Sequence, residues 1–113
     1  MTLNIGIDVD RISRFKIGNK LLLEKIFTKK ELKSIKKKNP QHAAGIYCAK
    51  EAIIKACNPI VKLNFMDIEI MHGKDGSPYA VIKKPSRTKI KELKISISHS
   101  GEYAAAAAIL LTR

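Results

Sequence analysis

The sequence contains few aromatic residues: three phenylalanines, three tyrosines and no tryptophan among 113 residues. Proteins that bind single-stranded nucleic acid stack bases on aromatic side chains, and this composition supplies few such platforms. The sequence also lacks an aromatic strand of the RNA-recognition type, zinc-ligand spacing and a basic zipper. These absences argue against nucleic acid as a partner, although the charge of the chain keeps a basic nucleic-acid-binding module as an alternative.

Long apolar runs and secretion signals are absent as well. No run approaches the roughly 20 residues that span a bilayer, and the start, Met1 to Ile5, lacks the features of a signal peptide. Cys48 and Cys57 are nine residues apart on one predicted helix, which is too distant for a disulfide. We therefore expect a cytoplasmic protein with no membrane partner and two reduced cysteines in its core.

Acidic residues are scarce beside basic ones: 10 Asp and Glu against 22 Lys and Arg, a formal net charge of +12. A field of this sign attracts anions and accelerates their association. Nucleic acid, anionic lipid, a phosphorylated small molecule and an acidic protein all fit, and charge alone does not choose among them. The 45% of hydrophobic residues is typical of a globular protein, and the length predicts a single domain, residues 1–113.

The first half of the sequence predicts one strand followed by helices. Residues 3–9 alternate between apolar and small or polar side chains, which predicts a strand with one apolar face and Asp8 on the opposite face. Asn19 can cap a first short helix, and Thr28 with Glu31 forms a capping box for a second. The first helix is expected to carry Leu21, Leu22, Leu23 and Ile26. The other two are expected over about 28–38 and 40–57, the last between Asn39-Pro40 and Asn58-Pro59.

The second half predicts strands. They are expected over residues 66–71, 79–82, 93–99 and 103–111, with a tight turn at Asp75-Gly76 and a connection over 85–92 that can hold a helical turn. Five consecutive alanines, 104–108, favour helix by intrinsic propensity. Because this segment is short and follows a tight turn, we expect a buried strand packed closely by a helix. The sum is an α+β domain with an antiparallel sheet.

Four charged or polar residues could carry chemistry. Glu51 and Lys55 share one face of the third helix, where an ordinary ion pair is the simpler interpretation. Asp8 is in isolation a strand terminator or a helix cap, and His99 in isolation is a packing or turn histidine. Taken together they fit magnesium, which accepts one or two protein carboxylates and fills its other positions with water and phosphate oxygens.

Three segments occur in an order that resembles one family: GIDV at 6–9, AKEAIIKA at 49–56 and ISHS at 97–100. They are similar to those of the holo-acyl-carrier-protein synthases, the small 4′-phosphopantetheinyl transferases. Further similar segments are FTKKEL at 27–32, DIEI at 67–70, GSPY at 76–79 and EYA at 102–104. The resemblance covers nearly the whole chain.

The resemblance implies an antiparallel sheet wrapped around a long central helix, and a homotrimer with active sites between subunits. It implies transfer of the 4′-phosphopantetheine group from coenzyme A to a serine of apo-acyl carrier protein, for fatty acid biosynthesis. The matching positions imply these roles: Asp8 and Glu51 as magnesium ligands, Glu51 and Lys55 in catalysis, Lys50, Lys55, His99 and Ser100 in coenzyme binding, and Arg11 and Arg14 in contact with the carrier protein.

Two positions depart from the family pattern. Ile46 stands where the family usually has an arginine, and Asn58-Pro59 lies in place of a glycine-threonine-glycine turn. Lysines 36, 37 and 38 are candidates to compensate for the missing arginine. Because a fold does not determine a function, an inactive family member that acts as an interaction protein is the second alternative.

Overall fold

The computed structural model describes residues 1–16, 20–36, 39–83 and 85–113, without the side chains of Lys20, Leu22 and Lys36. Within these residues the strands are β1 (Leu3–Arg11), β2 (Ile68–His72), β3 (Pro78–Ile82), β4 (Ile90–Ser100) and β5 (Tyr103–Thr112). The α-helices are α1 (Lys20–Ile26), α2 (Lys29–Lys36) and α3 (Pro40–Cys57). Short 3₁₀ turns cover Ile12–Phe15, Phe65–Asp67 and Ser86–Lys89.

The strands form two antiparallel sheets around α3. One sheet has the order β1-β5-β4, and the other is the hairpin of β2 and β3. The alanine-rich segment is strand β5, as predicted, with Ala104, Ala106 and Ala108 buried on the face toward α3. Small side chains on this central strand let the helix approach the sheet closely, which outweighs the helix propensity of alanine.

The contact between β1 and α3 is closer still. A Cβ atom placed on Gly6 would lie 2.0 Å from the backbone oxygen of Ala52. Glycine is therefore required at this crossing for steric reasons. The contact fixes the face of β1 that carries Asp8 against the helix, which is the face opposite the apolar one.

The apolar face of β1 is exposed. Leu3, Ile5, Ile7 and Val9 have exposed fractions of 63–72%. Their partners across the ladder, Leu111, Ile109, Ala107 and Ala105, share this side of the sheet. The alternation thus predicted the strand, while the sheet covers α3 with its other face. We call these eight residues the outer face of the sheet.

The helices mostly match the sequence expectations. Asn39 accepts a hydrogen bond from the backbone N–H of His42 at the start of α3, and the helix ends at Cys57. The capping box is present, because Glu31 accepts from the N–H of Thr28 at 2.8 Å and the Thr28 hydroxyl accepts from the N–H of Glu31 at 3.3 Å. Asn19, Lys37 and Lys38 lie outside the described residues.

The expected strand over 66–71 begins later, at Ile68. The carboxylate of Asp67 accepts a hydrogen bond from the N–H of Asn64 at 2.8 Å, which closes a 3₁₀ turn over Phe65–Asp67. Local side-chain bonding of this kind competes with strand pairing. The connection after β3 contains a helical turn at Ser86–Lys89, and β4 then begins at Ile90.

Both cysteines are buried and unbonded to each other. Burial, with a further contribution from the charge of Asp8, raises the pKa of Cys48 to about 12, and burial raises that of Cys57 to about 11. Both thiols therefore stay protonated at neutral pH and act as small core side chains. Among the helices of the described residues, none has the length and apolar character needed to cross a membrane.

Candidate active site

Asp8 and Lys55 meet where β1 crosses α3. The Lys55 ammonium donates to Asp8 Oδ1 at 3.2 Å and to the Ile7 carbonyl at 3.0 Å. The side chain of Asp8 is 15% exposed, whereas that of Lys55 is 52% exposed. Asp8 Oδ2 is buried and has no hydrogen-bond partner among the described residues. A buried carboxylate oxygen without a donor is costly, so this atom is suited to a cation.

Glu51 lies one helical turn before Lys55 on α3. Burial raises the pKa of the Glu51 carboxyl, and the negative charge of Asp8 raises it further, while Lys55 opposes the shift. The two acids are therefore close enough to repel each other. A divalent cation between them would relieve this repulsion, and oxygen ligands of this kind fit Mg²⁺.

No cluster of three or more histidine, cysteine or acidic side chains arranged to hold a metal occurs among the described residues. Magnesium needs only one or two carboxylates and takes its remaining oxygens from water and substrate phosphates. The pair of Asp8 and Glu51 fits that requirement.

A third acid, Asp10, also raises the pKa of Glu51. Its carboxylate is already engaged, because it accepts from the guanidinium of Arg14 and, at 2.8 Å, from the N–H of Arg11. Sequence reasoning missed Asp10. The available signal was its position two residues after Asp8, which places both side chains on the same face of β1.

Arg14 is held on the surface beside this site. Besides its ion pair with Asp10, its guanidinium lies 5.4 Å from the ring centroid of Tyr47 on α3. Arg11 lies 3.9 Å from Glu102 and 5.4 Å from the ring centroid of Tyr103. More than half of each arginine side chain is exposed, so both remain accessible to a partner.

Lys50 was expected to contact the coenzyme, yet it lies in the protein core. Its side chain is fully buried, and its ammonium donates to Glu31 at 2.6 Å and to the Ile26 carbonyl at 2.7 Å. Burial lowers its pKa, although the contact with Glu31 opposes this shift. Lys50 thus ties α3 to α2 and presents no surface to a coenzyme, which corrects its predicted coenzyme contact.

His99 lies near the end of β4 against α3, and Ser100 is the last, exposed residue of that strand, before the turn into β5. The Nε2 atom of His99 is 2.9 Å from the Gln41 carbonyl. Strand β5 separates β4 from β1, with Ala104 paired to both Asp10 and His99. His99 is therefore two strand spacings, roughly 10 Å, from β1. It borders the carboxylate site without contacting it.

The two departures from the family pattern lie on either side of Glu51. Ile46 is buried on α3, and Asn58 caps the end of that helix. Of the three lysines considered as replacements for the arginine, Lys37 and Lys38 and the side chain of Lys36 lie outside the described residues.

Comparison with known proteins matches residues 4–108 to the family model of the 4′-phosphopantetheinyl transferase superfamily. The holo-[acyl-carrier-protein] synthase of Caldicellulosiruptor bescii is 42% identical, over 96% of this chain and 98% of that protein. The corresponding enzyme of Finegoldia magna is 35% identical, over 98% of this chain and 97% of that protein.

Solved structures agree with this match. The structure of Helicobacter pylori holo-[acyl-carrier-protein] synthase in complex with coenzyme A superposes with a TM-score of 0.84 at 30% identity, covering 95% of this chain and 99% of that one. The synthase from Bacillus anthracis, in complex with CoA (3′,5′-ADP), has a TM-score of 0.79 at 29% identity, covering 95% and 94%. The sheet around α3 is thus the fold that the resemblance implied, and the chain belongs to the holo-acyl-carrier-protein synthase family of 4′-phosphopantetheinyl transferases.

Proposed function

We propose that the chain transfers 4′-phosphopantetheine from coenzyme A to a serine of an apo-acyl carrier protein, with Mg²⁺ held by Asp8 and Glu51. The observation that carries this proposal is the buried Oδ2 atom of Asp8, which has no donor among the described residues. It lies in a site where Glu51 has a raised pKa. When bound, magnesium offsets part of the charge of the coenzyme's diphosphate.

The reaction forms a bond between the serine oxygen and the β-phosphorus of coenzyme A and breaks the bond to adenosine 3′,5′-bisphosphate. Negative charge increases on the leaving oxygen. The Lys55 ammonium, held next to Asp8 and half exposed, is placed to stabilise that charge. The serine proton needs an acceptor, for which Glu51 and a water molecule in the site are the two candidates. His99 and Ser100 would contact the phosphoadenosine end.

The carrier protein would bind beside the site, on the surface of Arg14 and Arg11. Acyl carrier proteins are acidic, and a net charge of +12 favours fast encounter with such a partner. Asp10 and the ring of Tyr47 hold Arg14 in place. Arg14→Ala should therefore raise the KM for the carrier protein several-fold with little change in kcat, whereas an unchanged KM would remove Arg14 from the interface.

The outer face of the sheet supports the homotrimer that the resemblance implies. Monomeric proteins rarely expose so continuous an apolar strand. A trimer that buries this face would bring neighbouring subunits to the edge of β1, where Asp8 lies. We further propose that the product serves fatty acid biosynthesis in the cytoplasm.

Intact-protein mass spectrometry tests the activity. Apo-acyl carrier protein incubated with coenzyme A, Mg²⁺ and the enzyme should gain the mass of one phosphopantetheine group. Glu51→Gln and Asp8→Asn should each lower the rate by at least about 100-fold while the fold remains, because an amide is a poorer magnesium ligand. No mass gain with a cognate carrier at any enzyme concentration would favour the inactive alternative.

A further inference from the structure

The three histidines of the chain converge on one pocket. His42 comes from α3, His72 from the end of β2 and His99 from the end of β4, and they line a pocket of about 180 Å³. The rings of His42 and His72 are 5.1 Å apart between centroids, inclined at 37°. Residues so far apart in sequence meet here because β2 and β4 both end beside the first half of α3.

The other described residues that line this pocket, which we call the histidine pocket, are uncharged. Its other lining residues are Gly45, Ile46, Gly76, Pro78 and Ile97. A Cβ atom on Gly45 would lie 3.0 Å from His99 Nε2 and 2.9 Å from Ile97 Cγ2. Glycine at this position therefore allows β4 to pack closely against α3. Within the described lining, any positive charge therefore comes from the imidazoles.

Neighbouring groups hold the rings of His42 and His99 in place. The Ser34 hydroxyl on α2 is 2.6 Å from His42 Nε2, and the Gln41 carbonyl is 2.9 Å from His99 Nε2. A hydroxyl can donate or accept, so this contact suits both neutral and protonated His42. A carbonyl only accepts, so the Nε2 of His99 carries the proton.

Most of the charged groups that the structure describes on the neighbouring elements already have partners. On the β2–β3 turn, the Asp75 carboxylate accepts from the N–H and the hydroxyl of Ser77, and these bonds lower its pKa. Lys74 is exposed on the same turn. Glu69 on β2 bonds to Thr28, and Glu31 on α2 is paired with buried Lys50.

Resting on the proposed function, we propose that His42 and His72 bind the 3′-phosphate monoester of coenzyme A, and that their protonation strengthens this binding. His42 and Glu51 are nine residues apart on α3, roughly 13 Å along the helix. The histidine pocket is therefore about this far from the carboxylate site, where the diphosphate of coenzyme A is proposed to bind. The other phosphate of coenzyme A, on the ribose, is the group that can reach the histidine pocket.

Protonation of His42 and His72 should strengthen the binding of coenzyme A. An unperturbed imidazole has a pKa near 6.5, and two charged rings at this separation repel each other. A dianionic phosphate between them favours both charged forms, so binding takes up protons. Affinity for coenzyme A is therefore expected to rise as the pH falls from 8.0 to 6.5, by about tenfold for one to two protons linked to binding.

Calorimetric titration with coenzyme A and dephospho-coenzyme A, at pH 6.5 and 8.0 and fixed Mg²⁺, tests this inference. Dephospho-coenzyme A lacks only the 3′-phosphate, so it should show no such pH dependence. A double variant, His42→Asn with His72→Asn, should still bind coenzyme A but lose the gain at pH 6.5. His42→Arg should restore tight binding at pH 8.0, because arginine is always charged.

Lys74→Ala is the matched control, because it removes a nearby exposed charge that does not line the pocket. It should leave the pH dependence unchanged. Equal pH dependence for the two coenzymes, or a retained gain in the folded double variant, would overturn the inference while the proposed transferase activity stands. Failure of the unaltered protein to bind coenzyme A would overturn both.

Discussion

At the scale of single residues, two lysines of helix α3 have different structural roles. Lys50 and Lys55 are both near Glu51 in the sequence, yet Lys50 is fully buried against Glu31 while Lys55 reaches Asp8 on β1. The helical spacing of Lys50 indicated that its side chain would be buried. Buried Ile46 and Ile53 are four residues before and three residues after Lys50, so all three share one face.

Lys50→Met should lower the free energy of unfolding by about 3–5 kcal/mol, because it leaves the Glu31 carboxylate buried without a countercharge. Glu31 keeps its bonds to the N–H groups of Thr28 and Ile70, which hold the residue in place and do not neutralise it. Urea-induced unfolding followed by circular dichroism measures the change.

Lys94→Met is the matched control for this substitution. Lys94 and Glu92 form a pair at 3.8 Å with side chains 77% and 60% exposed. Exposed pairs contribute little, so the control should change stability by less than about 1 kcal/mol. Equal effects of the two substitutions would mean that the buried pair does not have the structural role assigned to it.

At the scale of elements, the proposed active site depends on the crossing of β1 and α3. Asp8 comes from the strand and Glu51 from the helix, and Gly6 permits the contact that brings them together. Gly6→Ala should separate the two elements, lower stability by about 1–3 kcal/mol through overpacking and reduce transfer activity. Thermal unfolding and the mass-spectrometric assay measure the two effects.

Gly73→Ala provides the control for this change. A Cβ atom there would meet the side-chain oxygen of Asp75 at 3.2 Å, and an exposed side chain can move aside. Stability and activity should stay close to those of the unaltered protein. If Gly6→Ala were tolerated equally well, the close approach of β1 to α3 would not be what positions the carboxylates.

Most elements could be predicted from periodicity and capping. The alternation in β1 and the Asn39-Pro40 start of α3 are local signals that the fold preserves. The turn at Phe65–Asp67 was misread because alternating residues also suit a short 3₁₀ turn closed by an acid. The histidine pocket was not foreseen, since its three residues meet only through tertiary contacts.

At the scale of the whole molecule, the outer face of the sheet supports the proposed assembly. Four large apolar side chains of β1 stand exposed beside Ile109, which is 47% exposed. Their burial between subunits would contribute about 25 cal/mol for each Å² removed from water. The trimer proposed above is the assembly that would cover this face.

Ile5→Asp should break this assembly, because it places a carboxylate in the middle of the apolar face. Light scattering should give three times the mass of one chain for the unaltered protein and the mass of one chain for the variant. Val81→Asp, at an exposed apolar position on β3, should remain trimeric. A single-chain mass for the unaltered protein would contradict the proposal.

The central claim is that Asp8 and Glu51 hold one divalent cation at the strand–helix crossing. Crystals grown with coenzyme A and Mn²⁺, a stand-in for Mg²⁺ that scatters anomalously, test it most directly. We predict one anomalous peak within coordination distance of both carboxylates and of a diphosphate oxygen. A map with no peak there, or with the two carboxylates too far apart to share an ion, would contradict the account.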